Sequence, residues 1–250
     1  MAFVSVSVGG NIATVVMSRG KVNALTEEVV DELRGSFQGL SSDPNARAVI
    51  LTGSGKFFSF GFDIPHFMGH SREGFTRYLT KFADLYTDLF IFPKPVIAAL
   101  NGHTVAGGCM IATACDYRIM VTGKAKISLN EITFGSSVFA GSVEMLKACV
   151  GHRNAETILC SGFMYSAEQA LELGLIHRIA SEQDLLQAAQ RVAEDFADRD
   201  SRAFQSIKHL LRKPIAVEMK KKEKESILEF VDIWYSSETR AQIEKIKIRG

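Results

Sequence analysis

Between Ile127 and Val143 the only charged side chain is Glu131, within Ser128-Leu129-Asn130-Glu131-Ile132. A carboxylate in such a stretch stands either at a solvent edge or in an apolar pocket. In a pocket, lost hydration raises its pKa and suits it to proton transfer near neutral pH. A second segment, Asn101-Gly102-His103-Thr104-Val105-Ala106-Gly107-Gly108-Cys109-Met110, follows an apolar run and leads into a helical pattern. The first N–H groups of a helix have no internal partner, and the helix dipole favours negative charge there. Small residues at 106 to 108 would let a ligand reach that backbone, although close helix–sheet packing selects small residues too. A third segment, Gly55-Lys56-Phe57-Phe58-Ser59-Phe60-Gly61-Phe62-Asp63-Ile64, also follows an apolar run. Gly61 permits a turn that presents the N–H of Phe62 outward; an ordinary glycine turn would read the same way.

These segments need elements to hold them. Val4, Val6 and Val8 alternate with serines, and Gly9-Gly10-Asn11 precedes Ile12 to Met17, which predicts a hairpin. Thr26 is placed to cap a helix with Glu27 and Glu28 in its first turn and Val29, Val30, Leu33, Phe37 and Leu40 as its apolar stripe, ended by Asp43-Pro44. Ala48 to Leu51, Val96 to Leu100 and Tyr117 to Val121 read as short strands buried on both faces, with Ile127 to Leu129 as a further one. Residues 71 to 92 carry a helical stripe of Phe75, Leu79, Phe82, Leu85 and Leu89. Alternating strands and helices predict an α/β domain with a parallel sheet. From about 136 helices dominate, broken by Gly151, Gly162 and Gly174, with one strand expected at Leu175 to Ile179. The expected plan is an α/β core over 1–195 and a helical C-terminal region over 196–250.

Bulk properties exclude several classes. Lys plus Arg number 29 against 28 Asp plus Glu, a net charge of +1, which is no nucleic-acid footprint. The basic run Lys220, Lys221, Lys222 and Lys224 is interleaved with Glu218, Glu223 and Glu225 and reads as a solvated helix face. Cys109, Cys115, Cys149 and Cys160 lack zinc or redox spacing, so no metal site is expected and a reducing compartment fits. No leader pattern or membrane-length apolar run is present, and Lys247-Ile248-Arg249-Gly250 is not a peroxisomal address. The expectation is a cytoplasmic protein without membrane or nucleic-acid partners.

The three segments, with Lys21-Val22-Asn23-Ala24-Leu25, Pro93-Lys94-Pro95-Val96-Ile97-Ala98-Ala99-Leu100-Asn101-Gly102, Cys115-Asp116-Tyr117-Arg118-Ile119 and Ser166-Ala167-Glu168-Gln169-Ala170 leading to Gly174-Leu175, resemble the enoyl-CoA hydratase/isomerase (crotonase) superfamily over nearly the whole chain. The resemblance implies stacked β-β-α turns and a helical C-terminal region that builds homotrimers or hexamers. It implies an acyl-CoA thioester substrate, with coenzyme A part of that substrate and no further cofactor. It places two thioester-oxygen donors at the N–H groups of Phe62 and Gly107. Ala24 and Gly61, Phe62, Asp63 and Ile64 would lie along the coenzyme A moiety, and Glu131 matches a catalytic glutamate.

Some positions depart from the pattern. The first of the two glutamates that hydratases use falls on Met110, where a thioether cannot transfer protons but can exclude water. Gly135-Ser136-Ser137-Val138-Phe139 holds no acid where the dienoyl-CoA isomerases place an Asp. Phe62 is bulkier than usual and is expected to narrow the pocket. The pattern looks most like the Δ3,Δ2-enoyl-CoA isomerases. Alternatives are a hydratase, decarboxylase or thioesterase, or a non-catalytic acyl-CoA-binding member. His103 is expected to be structural, His66 and His70 to sit in a surface loop, and Asp116 to cap or pair locally. Glu144 is expected on an exposed helix face, and Phe230 and Trp234 in C-terminal packing or an oligomer interface.

Overall fold

A computed structural model describes residues 2–245; the C-terminal residues 247–250 read above lie outside that range. The chain opens with the expected hairpin, β1 (Val4–Gly9) and β2 (Ile12–Met17), paired antiparallel. Helix α1 (Glu27–Ser42) buries Val29, Val30, Leu33, Phe37 and Leu40, as its stripe predicts. Its N-cap Thr26 has extended backbone, but the side chain makes no capping bond, contrary to expectation.

Three successive turns then build the centre. β3 (Ala48–Gly53) and β4 (Phe57–Ser59) lead into α2 (Ile64–Met68) and α3 (Arg72–Phe90). β5 (Val96–Leu100) and β6 (His103–Val105) lead into α4 (Gly107–Ala114). β7 (Tyr117–Val121) and β8 (Ile127–Ser128) lead through a 3-10 turn, Glu131–Phe134, into α5 (Ala140–Ser161). In each turn one strand joins a large sheet and the next joins a small one. The large sheet has the order β1-β2-β3-β5-β7-β9 and the small sheet β4-β6-β8. Every pairing from β2 onward is parallel. This is the superhelix of β-β-α turns that the resemblance implies.

The remainder is α6 (Ala167–Glu172), β9 (Arg178–Ala180), α7 (Leu185–Ala197), α8 (Ser201–Trp234) and α9 (Ser237–Ile243). The last strand lies later than the expected Leu175 to Ile179. Leu175 and Ile176 are buried, but their place is a turn: the Leu175 carbonyl accepts from the buried Arg118 guanidinium at 2.7 Å. The expected boundary at 195 falls inside α7, which packs on β3, β5 and β7. Helix α8 runs back over α3 and α5. Asp116 does not pair locally as expected. It bonds Lys208 at 2.7 Å and Arg212 at 3.2 Å, both on α8, and accepts the Val96 N–H at 2.8 Å. Among the described residues no helix is long and apolar enough to cross a membrane.

Candidate active site

The small sheet and the helix starts that follow it converge on one cavity of about 90 Å³. Its floor comes from Phe60, Phe62 and Ile64 after β4, and from Val105, Ala106 and Met110 around the start of α4. Asn130 and Glu131 close one side, while Phe139, Phe230 and Trp234 form an aromatic wall.

Glu131 begins the 3-10 turn and is 4% exposed. Burial pushes its carboxyl up to about 8, against a smaller opposing pull from its own backbone N–H. Its Oε2 has no hydrogen-bond partner among the described residues. The Ser136 N–H bonds the Glu131 carbonyl at 3.0 Å, and Thr239 on α9 donates to the Gly135 carbonyl at 2.7 Å, so both ends of the turn are tied down. Of the two settings open to Glu131 in the sequence, the structure gives the apolar pocket.

Phe62 is presented by a lattice of main-chain bonds. Phe60 donates to the Val22 carbonyl at 3.0 Å, Leu25 to the Gly61 carbonyl at 2.8 Å, and Asp63 to the Leu25 carbonyl at 3.3 Å. The Gly61 N–H goes to Ser59 Oγ at 3.1 Å, and Ser59 Oγ donates to the Asn23 carbonyl at 2.8 Å. Of residues 60–63, only the Phe62 N–H is left without an acceptor among the described residues. Gly61 has φ +88°, where a side chain is strained. A methyl group there would also stand 3.0 Å from Ala106 Cβ and 3.1 Å from the Gly107 nitrogen, so the two proposed donor segments touch at this point.

Gly107 is the first residue of α4, and its N–H has no helical partner. The residue before it, Ala106, has φ +51° and ψ −120°, a strained conformation for alanine. Such strain persists only where surrounding structure enforces it, and here it sets the direction of the Gly107 peptide. A methyl group on Gly107 would lie 3.1 Å from the Phe62 ring, and one on Gly108 only 2.4 Å from the Ser59 carbonyl oxygen. Both readings of the small-residue segment therefore hold: the glycines admit close packing, and the packing leaves the helix start facing the cavity.

The structure thus brings Phe62, Ile64, Met110 and Glu131 together around one space. Gly61 and Gly107 adjoin it, and Ala24 precedes Leu25, which bridges to Phe62. Asp63 faces outward, pairing with Arg19 at 2.8 Å and capping α2 through the His66 N–H at 3.2 Å. His66 lies in α2, not in a loop. His103 lies outside the cavity, on β6, with its ring 5.1 Å from that of Phe57. Glu144 is half-buried and pairs with Lys147 and Lys222.

Sequence reasoning missed the wall. Phe230 and Trp234 are 2% and 1% exposed and are covered by this chain's own Phe75 and Phe139. With Ile227 and Val231 they form an apolar stripe on α8 that is buried within the subunit. Two aromatics one helical turn apart were the available signal, but only the path of α8 reveals what they face.

The comparisons with known proteins agree with this fold. The family model described as enoyl-CoA hydratase/isomerase matches residues 7–243. A putative enoyl-CoA hydratase of Thermus thermophilus is 33% identical over 206 residues, 81% of this chain and 81% of that protein. The human mitochondrial enoyl-CoA delta isomerase 1 is 30% identical over 210 residues, 83% of this chain and 70% of that protein. The crystal structure of human mitochondrial delta3-delta2-enoyl-CoA isomerase superposes with a TM-score of 0.93 at 26% identity, covering 97% of this chain and 95% of that one. An enoyl-CoA hydratase/isomerase from Xanthobacter autotrophicus gives 0.86 at 26% identity, covering 97% and 91%.

Proposed function

The chain belongs to the enoyl-CoA hydratase/isomerase family, and on that premise we propose that it shifts the double bond of a 3-enoyl-CoA thioester to the 2-position through Glu131. The observation that supports this reading is that Glu131 is the one ionisable side chain among the described residues lining the cavity. Hydration by the family's two-glutamate route requires a second carboxylate; the resemblance puts Met110 at that position, and Met110 is 1% exposed and lines the cavity.

The reaction follows from these groups. A proton α to a thioester is weakly acidic, and its removal puts charge on the thioester oxygen. The N–H groups of Phe62 and Gly107 receive that charge, each preorganised donor contributing on the order of 3 kcal/mol. The Glu131 carboxylate takes the proton from C2, the electrons of the C2–H bond form the enolate, and the C3–C4 double bond moves to C2–C3 as Glu131 returns a proton to C4. One carboxylate serves both steps because it is protonated by the first and deprotonated by the second. Met110 and the aromatic wall exclude the water that would otherwise add at C3. The coenzyme A part lies along Ala24, Gly61, Asp63 and Ile64, and the working molecule is a homotrimer or hexamer.

The test is to incubate the protein with a cis-3-enoyl-CoA and identify products by mass and NMR. A trans-2-enoyl-CoA of unchanged mass is expected. Recovery of the cis-3-enoyl-CoA unchanged, while the same preparation adds water to a trans-2-enoyl-CoA, would favour the hydratase reading.

A further inference from the structure

The cavity is small for a site that takes an acyl chain. Pockets for drug-sized ligands run to about 300–1,000 Å³, whereas this one is about 90 Å³. An apolar cavity of about 150 Å³ holds benzene, so each carbon takes roughly 25 Å³. On that scale the site holds about four carbons. The proposed proton shift already fills it with C1 to C4: C1 carries the oxygen held by the Phe62 and Gly107 N–H groups, and C2 and C4 must both reach Glu131.

The lining leaves no slack for more. Val105, Met110, Phe139, Phe230 and Trp234 are each no more than 2% exposed, so the cavity does not continue as open space past them. The rings of the wall also hold one another. Phe139 lies 6.3 Å from Phe62 and 4.7 Å from Phe230. Phe230 and Trp234 are 6.0 Å apart, and Phe75 packs against both, at 6.2 and 4.9 Å. Phe62 is fixed in turn by the fully buried Phe82 and Tyr78, at 4.9 and 5.3 Å. In an interior packed this closely a ring cannot swing aside without displacing its neighbours. A longer tail would have to displace a ring or turn back toward the half-buried Phe60, Ile64 and Phe134, where it removes less apolar surface from water. Phe230 is the middle ring of the wall, in contact with both Phe139 and Trp234. We propose that the acyl group this site prefers is short, about four to six carbons, and that Phe230 is the specificity-determining residue that sets the limit.

This rests on the reading of the cavity as the acyl site. Saturated thioesters, which have no double bond to move, test it apart from turnover. Each buried CH₂ is worth roughly a factor of four in affinity, so a pocket without a limit would bind decanoyl-CoA on the order of 100-fold more tightly than hexanoyl-CoA. Calorimetry with butanoyl-, hexanoyl- and decanoyl-CoA should instead find decanoyl-CoA bound no more tightly than hexanoyl-CoA. Tighter binding of decanoyl-CoA by the unmodified protein overturns the proposal. Phe230→Ala vacates the space of a benzene ring and should improve decanoyl-CoA binding, relative to hexanoyl-CoA, by roughly 10-fold or more. A Phe230→Ala protein, folded by circular dichroism, that keeps the unmodified ratio overturns the assignment to Phe230. Phe230→Leu, which should move the ratio the same way by less, takes its place if the Ala variant does not fold. If neither folds, the comparison in the unmodified protein decides alone. A short-chain limit without isomerase turnover would refute the proton-shift reading and leave this one standing; isomerase turnover together with a preference for decanoyl-CoA would do the reverse.

Discussion

Glu131 is buried, and a pKa pushed up to about 8 by that burial leaves it mostly protonated at neutral pH. The proposed reaction begins with the carboxylate, so kcat/KM should rise with pH through about pH 8 and level off above it. A profile flat across that range would remove Glu131 from the base role. The same burial has a stability sign. The folded state holds the Glu131 proton to a higher pH than the unfolded chain, so stability falls as pH rises from the unfolded value toward the folded one. Glu131→Gln should therefore raise Tm by a few °C near pH 8, with the gain shrinking toward about pH 5; differential scanning calorimetry at both pH values checks this. The same variant should lose roughly 10²- to 10⁴-fold in turnover while binding a saturated acyl-CoA within a few-fold of normal. A Gln variant with near-normal turnover would reassign the base. Glu131 was legible because charge is absent on either side of it. Trp234 was not, because an aromatic pair at helical spacing looks the same whether it faces a core, a partner or a substrate.

At the scale of elements, the site depends on how closely the α4 start approaches the segment after β4. Gly108→Ala would put a methyl group 2.4 Å from the Ser59 carbonyl oxygen, which backbone cannot easily vacate. We expect it to cost about 2 to 3 kcal/mol of stability and to lower turnover, because the Gly107 N–H moves with the helix. Chemical denaturation and steady-state kinetics on one preparation check both effects; an unchanged midpoint would mean that the packing is looser than described. Other elements could be read from the chain alone: the stripes of α1 and α3 have enough positions to show a period, and β3, β5 and β7 stand out as unbroken apolar runs. β4 and β6 could not. Each has three residues, too few to show alternation, and they exist as strands only through pairing, β4 with β6 and β6 with β8. Of the small sheet that carries the site, only β8 was legible, as the run Ile127 to Leu129, although the segments flanking β4 and β6 were singled out by their glycines.

At the scale of the whole molecule, α8 and α9 close the site from within the same chain. Tyr235 donates to the His70 carbonyl at 2.6 Å, and Arg240 donates to the Met68 carbonyl at 3.0 Å. The outer face of α8 is left with Ile207, Leu210 and Leu211 at 59%, 74% and 67% exposure, on one side of the helix. That surface, rather than the internal stripe of Ile227 to Trp234, is the physical reason to expect association. Multi-angle light scattering should find a trimer or hexamer, and a stable monomer would contradict the assembly. The central claim concerns the reaction itself, one carboxylate in an apolar pocket moving a proton between carbons. The most direct measurement is the ratio of two rates on one preparation: isomerisation of a cis-3-enoyl-CoA and hydration of the trans-2-enoyl-CoA of equal length. The account predicts that isomerisation has the larger kcat/KM by at least roughly 10²-fold, the low end of what a missing acid/base group costs. Hydration as fast as isomerisation, or faster, would contradict it and make this chain a hydratase that works without a second glutamate at Met110.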